Sequence, residues 1–234
     1  MRVRQVIDLR IKMALKVVST LLVVTSLGAF ADEVPKDSAS DLLFDAVVTG
    51  HCIRVQELVN QGAFVDARDS IGATPLMRAL EAGTDLTCVR ELIEKGANPN
   101  ATHGDQKISV LMVAASYSSA DIVAFLLESG ANIQFSTPDG WTALMSAARN
   151  SSEPEVIDTL VGFGADLNGV DEYGVTPLMR AAQSNPNPEV IEALVRQGAS
   201  LTVISSTGQT AYDWARESGN SEEILEILQL RPGD

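Results

Sequence analysis

Two histidines, His51 and His103, and two cysteines, Cys52 and Cys88, are the side chains of this 234-residue sequence best suited to nucleophilic or metal chemistry. Nucleophilic catalysis needs a base held within hydrogen-bond reach of the nucleophile. His51 and Cys52 are adjacent, and neighbours along a helix point apart, so this pair does not meet that need. No Ser-His-Asp or His-Cys grouping with a supporting motif surrounds either histidine, and there is no Walker A motif. Gly162-Phe163-Gly164 fails as a dinucleotide fingerprint, because Leu167 stands where the third glycine belongs and no strand precedes it. Met77, Met112, Met145 and Met179 are thioethers, which suit Cu(I) in oxidising compartments. Packed helices lie about 8–10 Å apart, however, so adjacent sulfurs cannot share an ion. These methionines read as flexible core fillers. The carboxylates are numerous but scattered over solvated helix positions, as Glu155 and Asp158 illustrate. No catalytic residue, metal ligand or cofactor is expected.

The elements that carry these residues are set by a repeat. In the stretch from Thr176 to Ser200, Thr176 is an N-cap and Pro177 fills the first helical position, where its missing N–H costs nothing. Leu178, Ala181 and Ala182 form an apolar stripe at helical spacing. Asn185-Pro186-Asn187-Pro188 breaks the chain. A second helix from about Pro188 buries Val190, Ile191, Leu194 and Val195, and Gly198 ends it at a position where positive φ is often needed. Helix-one openings recur at Thr74, Ser109, Thr142, Thr176 and Thr210, spaced 35, 33, 34 and 34 residues apart. The closing Gly-Ala pair recurs at Gly62, Gly96, Gly130, Gly164 and Gly198, always 34 residues apart. Two signals in constant phase mark a stacked repeat protein, since a pair of short helices cannot bury such faces alone. Cys52 and Cys88 fall ten and eight residues before Gly62 and Gly96, both near the start of a second helix in adjacent repeats. A disulfide and two separately buried thiols are both compatible with that placement.

The unit resembles the ankyrin repeat, whose period is about 33 residues and whose opening is T-P-L-H-x-A. Thr74-Pro75-Leu76, Thr176-Pro177-Leu178, Gly140-Trp141-Thr142-Ala143-Leu144, Gly130-Ala131-Asn132 and Gly164-Ala165-Asp166-Leu167-Asn168 carry the resemblance, which covers about Asp41 to Leu230. It implies an all-α solenoid of about six helix-turn-helix repeats, with β-hairpin-like fingers between them. The repeats are 41–73, 74–108, 109–141, 142–175, 176–209 and 210–234, and the terminal ones depart from consensus because they cap the stack. Asp41 is the expected N-cap of the first helix. One departure is systematic: the family's histidine position holds Met77, Met112, Met145 and Met179, with Phe44 and Asp213 at the ends. The histidine bonds that link ankyrin repeats are therefore missing. His51 follows Gly50 in the Gly-His that commonly opens helix two of the family.

Residues 1–31 differ in kind. Met1 to Lys16 carries five basic residues against Asp8, Val17 to Phe30 is apolar, and Ala29-Phe30-Ala31 has a small-x-small pattern. The expectation is a secretory signal peptide cleaved after Ala31, with Met1 or Met13 as the start and retention as an anchor the alternative. A short polar linker, 32–40, follows. Removing 1–31 takes away five basic residues and one acidic residue, leaving 12 against 30 and a charge of −18. Such a surface repels nucleic acid and anionic lipid and favours basic or mixed-charge partners. The expected function is a non-catalytic, exported or periplasmic, monomeric protein-binding module with no membrane contact after cleavage. A small-ligand or enzymatic role of the finger near His103 is the alternative. The resemblance places partner contacts on the fingers and the inner end of helix one. Arg78, Glu81, Tyr117, Arg149, Arg180, Gln183 and Trp214 occupy those helix positions, and His103, Phe135, Trp141 and Tyr173 the fingers. Tyr117, Arg149, Tyr173 and Arg180 are expected to be exposed, so that alanine there leaves melting nearly unchanged. Trp141 is expected to pack within its own finger.

Overall fold

Thr74, Ser109, Thr142, Thr176 and Thr210 each sit in extended backbone, and each hydroxyl accepts a hydrogen bond from the N–H three residues on, at 3.2–3.3 Å. Five helices therefore start where these residues stand. The computed structural model describes residues 36–229. The expected signal peptide and its cleavage site lie outside the described residues.

Six helix pairs follow in chain order. They are α1 (Lys36–Val48) and α2 (Cys52–Asn60), α3 (Pro75–Glu81) and α4 (Leu86–Glu94), and α5 (Val110–Tyr117) and α6 (Ala120–Glu128). The remaining pairs are α7 (Ala143–Asn150) and α8 (Pro154–Gly162), α9 (Pro177–Ser184) and α10 (Pro188–Arg196), and α11 (Ala211–Glu217) and α12 (Glu222–Leu228). First helices touch first helices of the next repeat along the whole series, and second helices touch second helices, so the chain is a two-layered stack. This is the all-α solenoid that the repeat implies.

The core lies between the layers. Leu76, Met77, Leu80, Leu111, Met112, Leu144, Met145, Leu178 and Met179 are buried from the first layer, and Val89, Leu92, Val156, Ile157, Leu160, Val190, Ile191 and Leu194 from the second. The methionine slot is core throughout. At its C-terminal end, Asp213 closes a capping box instead, accepting from Thr210 N at 3.0 Å. Each second helix from α2 to α10 ends on a glycine with φ between 91° and 98°. In each, the N–H of the following alanine donates across the last turn, as Ala63 does to the Leu58 carbonyl at 2.9 Å. That closure needs a left-handed residue, which glycine adopts without strain.

A ladder of side-chain amides and carboxylates links neighbouring repeats. Asp66 accepts from Asn98 N, Asn100 from Asn132 N, and Asn168 from Ser200 N, at 2.8–3.0 Å, each bond crossing to the next repeat. Asn100 and Gln134 also donate to the carbonyls of Gly130 and Gly164 at 2.9 and 2.8 Å. At the opposite edge, Asn185 donates to the carbonyls of Ala148 and Ser151. Each such bond contributes about 1 kcal/mol.

Between repeats two and three, β1 (Thr102–His103) pairs antiparallel with β2 (Ile108–Ser109), and a single bridge joins Ser136 to Thr142 in the next finger. Arg68 binds the carbonyls of Gly72 and Thr102, tying one finger to its neighbour.

The N-terminal repeat corrects one expectation. Residues 36–40, assigned to the linker, belong to α1, and Asp41 lies inside that helix, not at its N-cap. Ala39, Leu43, Ala46 and Val47 form a buried stripe at i, i+4, i+7 and i+8 that begins before Asp41, and burial of that stripe draws the helix back. Cys52, the first residue of α2, and Cys88, in the first turn of α4, are joined by a disulfide with Cα atoms 4.7 Å apart. The bond staples the first repeat to the second.

Candidate partner-binding site

In four of the five fingers a polar residue stands five positions before the N-cap and shapes the turn. Asp171 does so in the finger that leads into the fifth repeat: one carboxylate oxygen accepts from Tyr173 N at 2.9 Å and Val175 N at 3.0 Å, fixing the turn before Thr176. Its other oxygen receives Arg180, four residues after that N-cap on α9. Asp69 and Arg78 repeat the device three units earlier, with Asp69 accepting from Ile71 N and Ala73 N. Thr137 and Ser205 replace the carboxylate in two further fingers, accepting from Trp141 N and Gln209 N, while Gly104 holds the position before Ser109.

Where threonine stands, the arginine position holds Ser146, which accepts the indole N–H of Trp141 at 2.7 Å. That bond lays the Trp141 ring under the next repeat, with the Arg180 guanidinium 4.6 Å from its centroid. On the far side Arg180 meets Trp214 of α11, 6.0 Å from that ring. Arg149, at the end of α7, is exposed and 5.9 Å from the Trp141 ring. Trp141, from the finger that leads into repeat four, thus forms one cation–aromatic stack with Arg180 of repeat five and Trp214 of repeat six, flanked by Arg149. The fingers beneath it are close-packed: Glu172 N donates to Asp139 O at 2.9 Å, and a Cβ added to Gly140 would lie 2.8 Å from the Asp171 Cα.

Several expected contact residues sit differently from their assignment. The Arg180 side chain is only 15% exposed and its partner Asp171 only 3%, so Arg180 is a structural ion pair as well as a surface residue. Trp141 does not confine itself to its own finger. Arg78 is bound to both Asp69 and Glu81, two repeats away from the stack. Tyr117, at the end of α5, and Tyr173, at a fingertip, are open at 60% and 57% exposure. Hydrogen bonding to Glu172 is the first cause holding the Tyr173 phenol above its ordinary pKa, so it stays neutral. Gln183 is exposed and 3.4 Å from Arg180 Nη1, while Phe135 is half-buried. Asp171 and Ser146 were not singled out from the sequence. The recurrence of Asp five before and Arg four after the N-cap, at Asp69/Arg78 and Asp171/Arg180, is the signal that would have found the pair.

His103 is half-buried in β1, paired with Ile108. An open groove of about 530 Å³ lies elsewhere, at the turn between α1 and α2 beside His51, Cys52 and Asp85. Cys52, Asp85 and Cys88 bring possible ligand atoms within 4.8 Å of one another, but the two sulfurs are bonded to each other and offer no thiolate.

A family model described as ankyrin repeats (3 copies) matches residues 14–103, 85–171 and 150–233. A search of curated proteins finds no match. Among solved structures, the chain is similar to a chain of the predatory endopeptidase Bd0816 from Bdellovibrio bacteriovorus in complex with immunity protein Bd3460. The TM-score is 0.66 at 28% identity, covering 80% of this chain and 95% of that one.

Proposed function

Because the chain belongs to the ankyrin-repeat family, a protein-binding module, we propose that it is an exported, non-catalytic protein that holds a partner protein on the face built from its first helices and fingertips. The observation that carries this reading is the stack of Trp141, Arg180 and Trp214 with Arg149 beside it, together with the exposed Tyr117 at a first-helix end and Tyr173 at a fingertip. Aromatic and arginine side chains dominate interface energetics, and here they gather on one face of a chain otherwise poor in them. The likeness to a chain of an endopeptidase–immunity protein complex supports a partner that is an enzyme. The disulfide and the order of basic, apolar and small residues in 1–31 support export, as bridges persist in oxidising compartments.

The test is site-specific photocrosslinking in the source organism, with the crosslinking residue in place of Tyr117 or Tyr173, and in place of Glu192 on the opposite layer as control. A discrete adduct from Tyr117 and Tyr173 is expected. Adducts from Glu192 alone would remove the binding face. Fractionation with intact-mass analysis is expected to find the chain outside the cytoplasm and starting at Asp32. A chain that keeps residues 1–31 in the cytoplasm would end the export reading.

A further inference from the structure

We propose that the Trp141–Arg180–Trp214 stack, with Arg149, is a receptor for an Asp or Glu side chain of the partner protein. This deepens the reading above and rests on it. The chain has 31 acidic against 17 basic residues, so its general surface repels carboxylates. The stack is the local exception. Among the described residues Arg149 makes no ion pair, and the contact it does make is with the Trp141 ring. A ring at that distance takes up none of the in-plane N–H donors of the guanidinium, which stay free for a carboxylate.

Arg180 points the same way. One of its nitrogens is bound to Asp171, the other reaches Gln183 only at 3.4 Å, and Nε has no acceptor. The indole N–H of Trp214, in the same stack, also lacks one. Buried donors without acceptors are costly, so the stack has a deficit of oxygen. The charges set which oxygen. Asp171 neutralises Arg180 and leaves the Arg149 guanidinium as the unpaired cation of the stack, which selects an anionic oxygen, while Asp139 and Glu172 in the fingers beneath disfavour a doubly charged phosphate more than a single carboxylate. Carboxylate oxygens also match the fork of an arginine, so the contact is charge-assisted and directional.

The sequence contains two tryptophans, and both lie in the stack, so intrinsic fluorescence reports on this site. The full chain is titrated with an acetylated, amidated peptide bearing a central Asp-Glu pair flanked by leucines, and with its Asn-Gln counterpart. The expected result is a saturable emission change for the acidic peptide, with affinity about tenfold above that of the amide peptide. Arg149→Glu abolishes the selectivity while melting as the wild type does, since Arg149 is exposed and unpaired. Equal responses to both peptides, no response to either up to millimolar concentration, or tighter binding of a phosphoserine peptide each overturn the assignment. If Tyr117 and Tyr173 crosslink a partner while the two peptides behave alike, the carboxylate receptor falls and the binding face stands.

Discussion

Arg78 and Arg180 hold the same place in their repeats, yet burial gives them different weight. Asp171 is almost fully enclosed, and removing Arg180 would leave its charge uncompensated beneath an uncovered Trp141 ring. Arg180→Ala should therefore lower stability by about 3 kcal/mol, as breaking a buried pair does. The side chains of Arg78 and Asp69 are 29% and 19% exposed, and Arg78→Ala should cost about 1 kcal/mol. Urea denaturation of the two variants measures the difference, and equal losses would contradict it. Asp69 adds a pH dependence. Burial raises its pKa, but hydrogen bonds from Arg78, Ala73 and Ile71 together outweigh that, and the net shift is downward. A carboxylate lowered in the folded state stabilises above its unfolded pKa of about 3.9, and the contribution is lost as pH falls through the folded value. The stability gap between wild type and Asp69→Asn should thus be widest near neutral pH and close in strong acid. A gap that stays constant from neutral pH into strong acid would show the pair contributes nothing through ionisation.

At the scale of the helix pair, slots and closures differ in tolerance. Met145 is fully buried in a slot shared by four repeats, and Met145→Leu conserves volume, so a loss below about 1.5 kcal/mol is expected. Glycines are less replaceable, and not equally so. Gly130 has φ 92° with open space around it, so Gly130→Ala bears backbone strain alone, about 1–2 kcal/mol. Gly140 has φ 87° and its added Cβ would strike the Asp171 backbone at 2.8 Å, so Gly140→Ala should cost more and also disturb the stack above. Thermal melts of the three variants should rank Met145→Leu, Gly130→Ala, Gly140→Ala from mildest to worst; a reversed order of the two glycines would refute the finger packing.

Over the whole stack, stability is a sum of repeats and their interfaces, so a crosslink at one end acts locally. The Cys52–Cys88 bridge closes 36 residues of chain between the first two repeats. Loop closure of that length corresponds to at most about 4 kcal/mol. Reduction with dithiothreitol should lower the melting temperature and speed amide exchange in α1 and α2 while α7 to α10 keep their protection. Uniform loss of protection along the chain would mean that the stack unfolds as one unit.

Period, helix class, capping residues and the role of the methionines are all readable in the sequence, because each is a local matter repeated five or six times. Thr176 and Pro177 start a helix, and Gly198 ends one, wherever they stand in that pattern. The start of α1 was misplaced because a polar run, Lys36 to Asp41, hides a single alanine whose burial depends on its neighbours. Whether Cys52 and Cys88 meet turned on the offset between adjacent second helices, a distance that no residue count supplies. The candidate site divides the same way. Its residue types and its face follow from repeat position, so Arg149, Arg180, Tyr117 and Tyr173 could be named beforehand. The stack itself could not, because Trp141, Arg180 and Trp214 come from three different repeats. Ring and guanidinium meet only when the repeats are superposed at the rise and rotation of the folded stack, and that geometry is a property of the packed layers, not of any one repeat.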